Sequence, residues 1–500
     1  MKAIEKIPTW IVVTLLTVAA LVLRLLYLNS TDIAGDEPFS IFVAHFDLSE
    51  IIVYLSTGNN PPLFEVLLHF YIRVFGDSDF TLRLFPAILS SLTVGPIFLI
   101  GRKFFNGRVA LIASVLFIFS IYQIRFAHEV RVYSFFSFIT AWTIYSFLST
   151  LDRPKSIKLW AILVLCNLVL IYSHFTAFYI LLTELVCGIL FLPKTHWKFL
   201  FGSLALTGVL FAPYLLVFIG RLGEVSSAGT WVTPPGLGEL YGSINLMLNH
   251  RLTTLTVITS VVLGLALSRK TSLLERAKEL LKQRKMLALF VWFILPYSLM
   301  FLCSTFFVPM FIDRYILYTS IPLFLCVAVV VNEAWSKSQW PLVGVFLIGC
   351  GSIATTNLNP SNNRKVGEAV EFVKNSQTES AVIYLCPDHY DLAFTFHYNR
   401  AWFSEMANKK GDSFQALSKR LNTNGIFPIR DKNELRINDI NRIIYLDADS
   451  KFVLPDNHIL ETLQEELTLR ETEHFEQIFD VYVFDRVLEE KEVNPTQMNE

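Results

Sequence analysis

Asp36 and Glu37 stand side by side in Ser30-Thr31-Asp32-Ile33-Ala34-Gly35-Asp36-Glu37-Pro38, directly after a long apolar run from Trp10 to Leu28. A carboxylate can take a proton from a hydroxyl as a general base. At the edge of a hydrocarbon layer such a pair is costly unless it is solvated or matched, which makes it a candidate for function. Any loop leaving a membrane also carries acids for solubility, so the rest of the chain must decide. Polar residues recur in Gly58-Asn59-Asn60-Pro61-Pro62, in Tyr122 to Tyr133 with Arg125, His128, Glu129 and Arg131, in Thr230-Trp231-Val232-Thr233-Pro234-Pro235, and in Val308 to Tyr315 with Asp313 and Arg314. An arginine fork grips phosphate through two parallel hydrogen bonds, where lysine is only a point charge. Carboxylates, arginines and aromatics without lysine suit a substrate whose phosphate lies at headgroup depth and whose tail lies in lipid.

These segments share a side only if the elements between them cross a membrane. Of the 500 residues 53% are hydrophobic and only 17% charged. From residue 10 to about 356 apolar runs of membrane-spanning length alternate with short polar links, the pattern of a polytopic α-helical membrane protein. After Trp10–Leu28, spans are expected at about 80–100, 109–121, 132–149, 159–172, 175–192, 199–219, 251–268, 286–304, 315–332 and 340–356, about 11 in all. Pro61 to Phe75 is too short and polar for a span, with Glu65, His69 and Arg73, and reads as an interfacial helix. The first run lacks a small-residue cleavage site and reads as a retained helix.

One set of links carries Lys2 and Lys6, Arg102, Lys103 and Arg108, Arg153, Lys155 and Lys158, Lys194 and Lys198, and the basic stretch Arg269 to Lys285. The alternate set has no lysine before residue 357; its cations are Arg73, Arg125, Arg131, Arg221 and, at helix edges, Arg83, Arg251 and Arg314. Positive charge collects on the cytoplasmic side. The N-terminus is therefore expected inside, and Asp36 and everything after 357 outside, in the plasma (inner) membrane.

Three parts are expected. Residues 1–356 form the transmembrane domain with its first outer loop at 29–79; 357–487 form a small extracytoplasmic α/β domain; 488–500 are a polar, disordered tail. In the second part Val366–Asn375 has helical spacing, and Ala381–Cys386, Arg442–Asp447 and Phe479–Asp485 are β-rich. His458–His474 has Glu and Leu at helical spacing. Five of the six cysteines lie in apolar runs, and their spacing implies neither a disulfide framework nor a metal site. No nucleotide fingerprint or nucleic-acid-binding pattern occurs, so an activated donor used here would have to be lipid-linked.

The ordered set of motifs resembles the GT-C superfamily of membrane glycosyltransferases, specifically the bacterial family 39 and ArnT-like group, related to the protein mannosyltransferases that use dolichyl-phosphate-mannose. The resemblance rests on Gly35-Asp36-Glu37, Asn60-Pro61-Pro62-Leu63, Phe75 to Leu84, His128-Glu129-Val130-Arg131-Val132-Tyr133, Trp231 with Pro234-Pro235, and Asp313-Arg314-Tyr315. It implies a GT-C fold and transfer of a hexose or pentose from a polyprenyl phosphate to a lipid, glycan or protein acceptor on the outer face, with inversion. It further implies Asp36 as general base and Glu37 as the supporting acid. Arg131, Tyr133, Arg314, Tyr315, Asn60 and Arg83 would hold the donor phosphate and lipid, with His128 and Glu129 in support. The family usually has Gln where His128 stands. This His either completes a divalent-metal set with Asp36 and Glu129 or replaces the amide as a hydrogen-bonding group, the reading preferred here.

Other residues read as bland. Asp447-Ala448-Asp449 imitates an acidic metal motif but reads as a strand-end turn. Glu184 and His174 read as a helix-edge pair, and Arg24 as a residue reaching the surface or a lipid phosphate. The forty-three phenylalanines are packing and lipid-facing residues. The competing reading is a transporter or flippase of lipid-linked saccharides. Transporters carry ionisable groups near the midplane, whereas here the acids and arginines collect at one rim.

Overall fold

A computed structural model describes residues 7–56, 60–228, 232–267, 283–335, 338, 340–355, 365–409, 411–438, 440–475 and 478–486. Gly58, Asn59, Trp231, most of the basic stretch after Arg269 and the 488–500 tail lie outside the described residues. The chain forms two compact units. One comprises Met1–Ser30 with Asp47–Pro360, the other Thr31–Phe46 with Ser361–Glu500.

In the first unit each of the eleven expected spans is helical. Among the described residues five helices are long and apolar enough to cross a membrane: Asp79–Phe104, Tyr133–Asp152, Lys194–Gly220, Arg284–Phe306 and Asp313–Ala334. Two further pairs reach that length only as broken helices, Gly107–Ile118 with Ile121–Ala127, bent by 56°, and Leu237–Met247 with Arg251–Gly264, bent by 76°. Thr9–Leu25, Ile157–Ile171, Ala177–Phe191 and Trp340–Thr355 are shorter apolar helices. Helices satisfy their own backbone, so apolar side chains can face lipid. Leu15, Val18 and Val22 of the first helix accordingly stay exposed. Where helices meet, small residues bring backbones close: a Cβ on Gly101 would stand 2.5 Å from Ala110 Cα. Leu63–Phe75 is helical, burying Phe64, Glu65, Leu68 and His69 while Phe70, Val74 and Phe75 stay exposed.

Arg24 does not reach the surface. It is fully buried, with Nε donating to Ser90 Oγ at 2.8 Å and Nη1 to Ala20 O at 3.1 Å, and its guanidinium lies 5.1 Å from the Phe117 ring centroid. A guanidinium offers five donors, and packing helices supply acceptors that a lone helix lacks.

The second unit is a five-stranded sheet in the order β2-β1-β3-β5-β4, with β1 Ala381–Cys386, β2 Ile426–Pro428, β3 Arg442–Ala448, β4 Thr468–Phe475 and β5 Phe479–Asp485. β1 pairs in parallel with β2 and β3; β5 pairs antiparallel with β3 and β4. The expected α/β character holds, with one difference. Only Ile459–Glu466 of the His458–His474 stretch is helical, and the rest is β4. Seven of the eight β4 residues are exposed, so ladder pairing with β5, and not a buried face, sets its conformation. Asp447 Oδ1 accepts the backbone N–H of Ser450 at 2.7 Å and Asp449 has φ 52°, the strand-end turn expected.

The division into units also differs from a single break near 357, because the acid-bearing segment Thr31–Phe46 belongs with the sheet. Its Ile33, Ile41, Phe42, Val43 and Ala44 are buried. Phe42 packs edge-on against Phe403 at 5.1 Å and Phe414 at 4.9 Å between ring centroids. Gly367 N–H donates to Asp32 Oδ2 at 2.7 Å, and His397 Nε2 lies 2.8 Å from Ile33 O. Burying this apolar face drives the association.

Candidate functional site

In the helical unit the segment after Ile121–Ala127 turns tightly, with Arg131 N–H donating to Glu129 O at 2.7 Å, before Tyr133–Asp152 begins. Ser134 Oγ fixes the turn by donating to Phe126 O at 3.0 Å. Arg131 is thereby held in a buried position. The Asp313-Arg314-Tyr315 segment opens the helical span Asp313–Ala334 and is tied back by the Tyr122 hydroxyl, which donates to Asp313 O. The two segments meet: the rings of Tyr133 and Tyr315 lie 6.3 Å apart.

His174, in the turn between Ile157–Ile171 and Ala177–Phe191, completes the group. Its ring lies 5.1 Å from Tyr315 and 6.4 Å from Tyr133. Burial, then the charges of Arg131 and Arg314, push its pKa down to about 3. Two guanidinium groups thus act on one imidazole beside a small cavity lined by Tyr133, Phe136, His174, Arg314, Tyr315 and Tyr318. No acid is among the lining residues. Such a set attracts an anion.

Arg83 and His128 sit together elsewhere in the unit, beside the end of the first helix. His128 Nε2 lies 2.7 Å from Arg24 O, and Arg83 Nη1 donates to Leu28 O at 3.2 Å. Both are buried. Burial, with Arg83 and Arg24 nearby, pushes the His128 pKa down to about 4. The bond to a carbonyl requires the proton on Nε2, and flanking guanidinium groups repel a metal cation. Among the described residues no three His, Cys, Asp or Glu side chains gather to hold a metal. In this unit His128 is engaged by the Arg24 carbonyl. Glu129 and Asn60 are half-buried.

In the sheet unit Gly35, at φ 58°, turns the chain into the helix Glu37–Ala44, with Asp36 just before its first residue. The two acids then part company. Glu37 is 7% exposed and its Oε2 accepts the Ala34 N–H at 3.1 Å, pinning the turn. Asp36 stays exposed, and its charge reaches His389, which follows β1. Of the pair, Asp36 is the one a reactant can reach.

The structure therefore brings Arg131, Tyr133, Arg314 and Tyr315 into one group, Arg83 and His128 into a second, and Asp36 and Glu37 into the other unit. His174 and Tyr318 join the first group unforeseen. His174 is not paired with Glu184, whose Oε2 instead accepts from Asn167 Nδ2 at 2.7 Å. The alternation of spans put His174 on the same side as the arginines, the one sequence signal that could have found it.

Residues 59–219 match the family described as dolichyl-phosphate-mannose-protein mannosyltransferase. Among the curated proteins none matches the chain significantly. Among solved structures, ArnT from Cupriavidus metallidurans in the apo state superposes with a TM-score of 0.59 at 12% identity over 95% of this chain and 97% of that one. The same enzyme bound to undecaprenyl phosphate gives 0.59 at 11% identity over 95% and 98%. The archaeal oligosaccharyltransferase AglB from Archaeoglobus fulgidus, in complex with an inhibitory peptide and a dolichol-phosphate, gives 0.50 at 11% identity over 92% and 72%. Part of the chain is thus similar to this mannosyltransferase family, and the whole shares the fold of ArnT.

Proposed function

We propose that the protein moves a sugar from a polyprenyl-phosphate donor to a hydroxyl of a lipid, glycan or protein acceptor at the extracytoplasmic face of the plasma membrane, with inversion. The observation that carries this reading is the convergence of Arg131 and Arg314 on one imidazole beside an aromatic-lined, acid-free cavity. The solved relatives with a polyprenyl phosphate bound support the same ligand class. The lysine-free rim supports the outward orientation.

In this reaction Asp36 takes the proton of the acceptor hydroxyl as its oxygen attacks the anomeric carbon. The bond from that carbon to the phosphate oxygen breaks, and polyprenyl phosphate leaves carrying the electron pair. Negative charge grows on the phosphate, where fixed guanidinium groups stabilise it more in the transition state than in the ground state. Glu37 holds the turn that presents Asp36.

Purified protein supplied with a polyprenyl-phosphate-linked sugar should release polyprenyl phosphate. Asp36→Asn should abolish release while leaving lipid binding intact, and turnover at the unaltered rate by this variant would end the assignment. Arg131→Lys should weaken donor use because a lysine cannot form the paired bonds.

A further inference from the structure

Two donors in the cavity beside the arginines have no hydrogen-bond partner among the described residues: His174 Nε2 and the Tyr318 hydroxyl. His174 is 6% exposed and Tyr318 2%. A buried polar atom left unpaired costs about 1–3 kcal/mol, so native proteins pair it or reserve it for a ligand.

The tautomer of His174 follows from its other nitrogen. The backbone N–H of Thr176, which can only donate, points at His174 Nδ1 from 3.2 Å, and Thr176 Oγ1 lies 2.8 Å from the same atom. Nδ1 is therefore the acceptor, and the proton of the neutral ring is on Nε2. Phe136 fixes the orientation of both groups, with ring centroids 5.6 Å from His174 and 5.2 Å from Tyr318. The cavity thus presents an N–H, an O–H and the Arg314 guanidinium, and no carboxylate.

Building on the reading above, we propose that His174 and Tyr318 bind the phosphate of the lipid-linked substrate, each donating one hydrogen bond. The chemistry favours this ligand over a cation or a sugar. A cavity with an N–H, hydroxyls and a guanidinium but no carboxylate favours an anion, and a phosphate oxygen takes several donors at once where a neutral sugar hydroxyl gains little from the charge. Burial, with the nearby guanidinium charges, keeps His174 neutral. It therefore adds direction to the site without adding charge, and the Tyr318 hydroxyl does the same.

The test is binding of undecaprenyl phosphate to the full-length protein in detergent, compared across wild type, His174→Phe, His174→Gln and Tyr318→Phe. Phe keeps the ring and removes the donor; Gln restores an N–H. A hydrogen bond to a charged group contributes about 1.5–3 kcal/mol. His174→Phe and Tyr318→Phe should each weaken binding by about ten-fold or more, since ten-fold is 1.4 kcal/mol. His174→Gln should recover most of the loss, which a purely packing role for the ring would not allow. Inorganic phosphate should compete only weakly, because the lipid tail supplies the remaining affinity; full competition at equal concentration would overturn the lipid-linked assignment. Unaltered affinity in both Phe variants would overturn the inference and leave the proposed function standing. A wild-type protein that does not bind the lipid would remove the proposed function, and this inference with it.

Discussion

Asn249 Oδ1 accepts the backbone N–H of Ile121 at 2.8 Å while its Nδ2 donates to Phe119 O, also at 2.8 Å. Asn249 lies at the break between Leu237–Met247 and Arg251–Gly264, and the groups it satisfies lie at the break between Gly107–Ile118 and Ile121–Ala127. One broken helix therefore repairs the other. Away from water, backbone groups freed by a break must be re-satisfied internally. Asn also accepts the left-handed backbone found here, φ 74°.

Asn249→Ala should lower the thermal unfolding midpoint in detergent, by roughly 1–3 kcal/mol of lost stability. Because Ile121–Ala127 leads into Arg131, lipid binding should weaken as well. Unfolding at the wild-type temperature would show that the two breaks are satisfied by other means.

His128 yields a prediction with a sign in pH. Its folded pKa of about 4 lies below the ordinary 6.5. Above pH 6.5 both folded and unfolded chains hold it neutral and it contributes no pH dependence. As pH falls from 6.5 towards 4, the unfolded chain takes up a proton that the folded chain refuses, and stability drops. The loss approaches about 3 kcal/mol for this residue. His128→Gln keeps a donor for Arg24 O and cannot titrate, so its stability should match wild type at pH 7.5 and exceed it at pH 4.5. Equal slopes for the two proteins in unfolding measured across that range would remove His128 as the source.

Asn167 and Glu184 are both fully buried between helices, joined by one 2.7 Å hydrogen bond. Asn167 Oδ1 and Glu184 Oε1 have no further partner among the described residues. A glutamine at 184 offers an oxygen for Asn167 Nδ2 and an N–H for Asn167 Oδ1. Glu184→Gln should therefore fold and turn over as wild type does, while Glu184→Leu strands the amide and costs about 1–3 kcal/mol. Loss of activity in the Gln variant would make Glu184 more than a structural residue.

What could be read from the chain alone follows from which interactions are local. The apolar runs announce the spans because hydrocarbon thickness fixes their length. The alternation of charged links correctly groups Arg131 and Tyr133 with Arg314 and Tyr315. Arg24 is misread because its acceptors, Ser90 and Phe117, lie far along the chain. His174 is missed for the same reason, as its distant neighbours come from two other segments, Arg131 to Phe136 and Arg314 with Tyr315. The helical pattern of His458–His474 fails after Glu466 because a ladder partner outweighs local periodicity.

The attachment of Thr31–Phe46 to the sheet unit bears directly on the role proposed for Asp36. Asp36 is exposed, yet the segment that carries it is fixed by buried contacts: Phe42 is 0% exposed between Phe403 and Phe414, and Asp32 accepts from the Gly367 backbone. Truncating a buried Phe to Ala costs about 3–5 kcal/mol when it leaves a cavity. That loss would fall on the segment and not on the arginine group, which belongs to the helical unit. Phe42→Ala should therefore reduce kcat for sugar transfer by ten-fold or more while leaving the affinity for undecaprenyl phosphate within about two-fold of wild type. Asp32→Ala should act in the same direction and more weakly, since it removes one hydrogen bond. Parallel loss of lipid affinity in Phe42→Ala would mean that the segment supports the phosphate site, and unchanged kcat would mean that the base does not need this anchor.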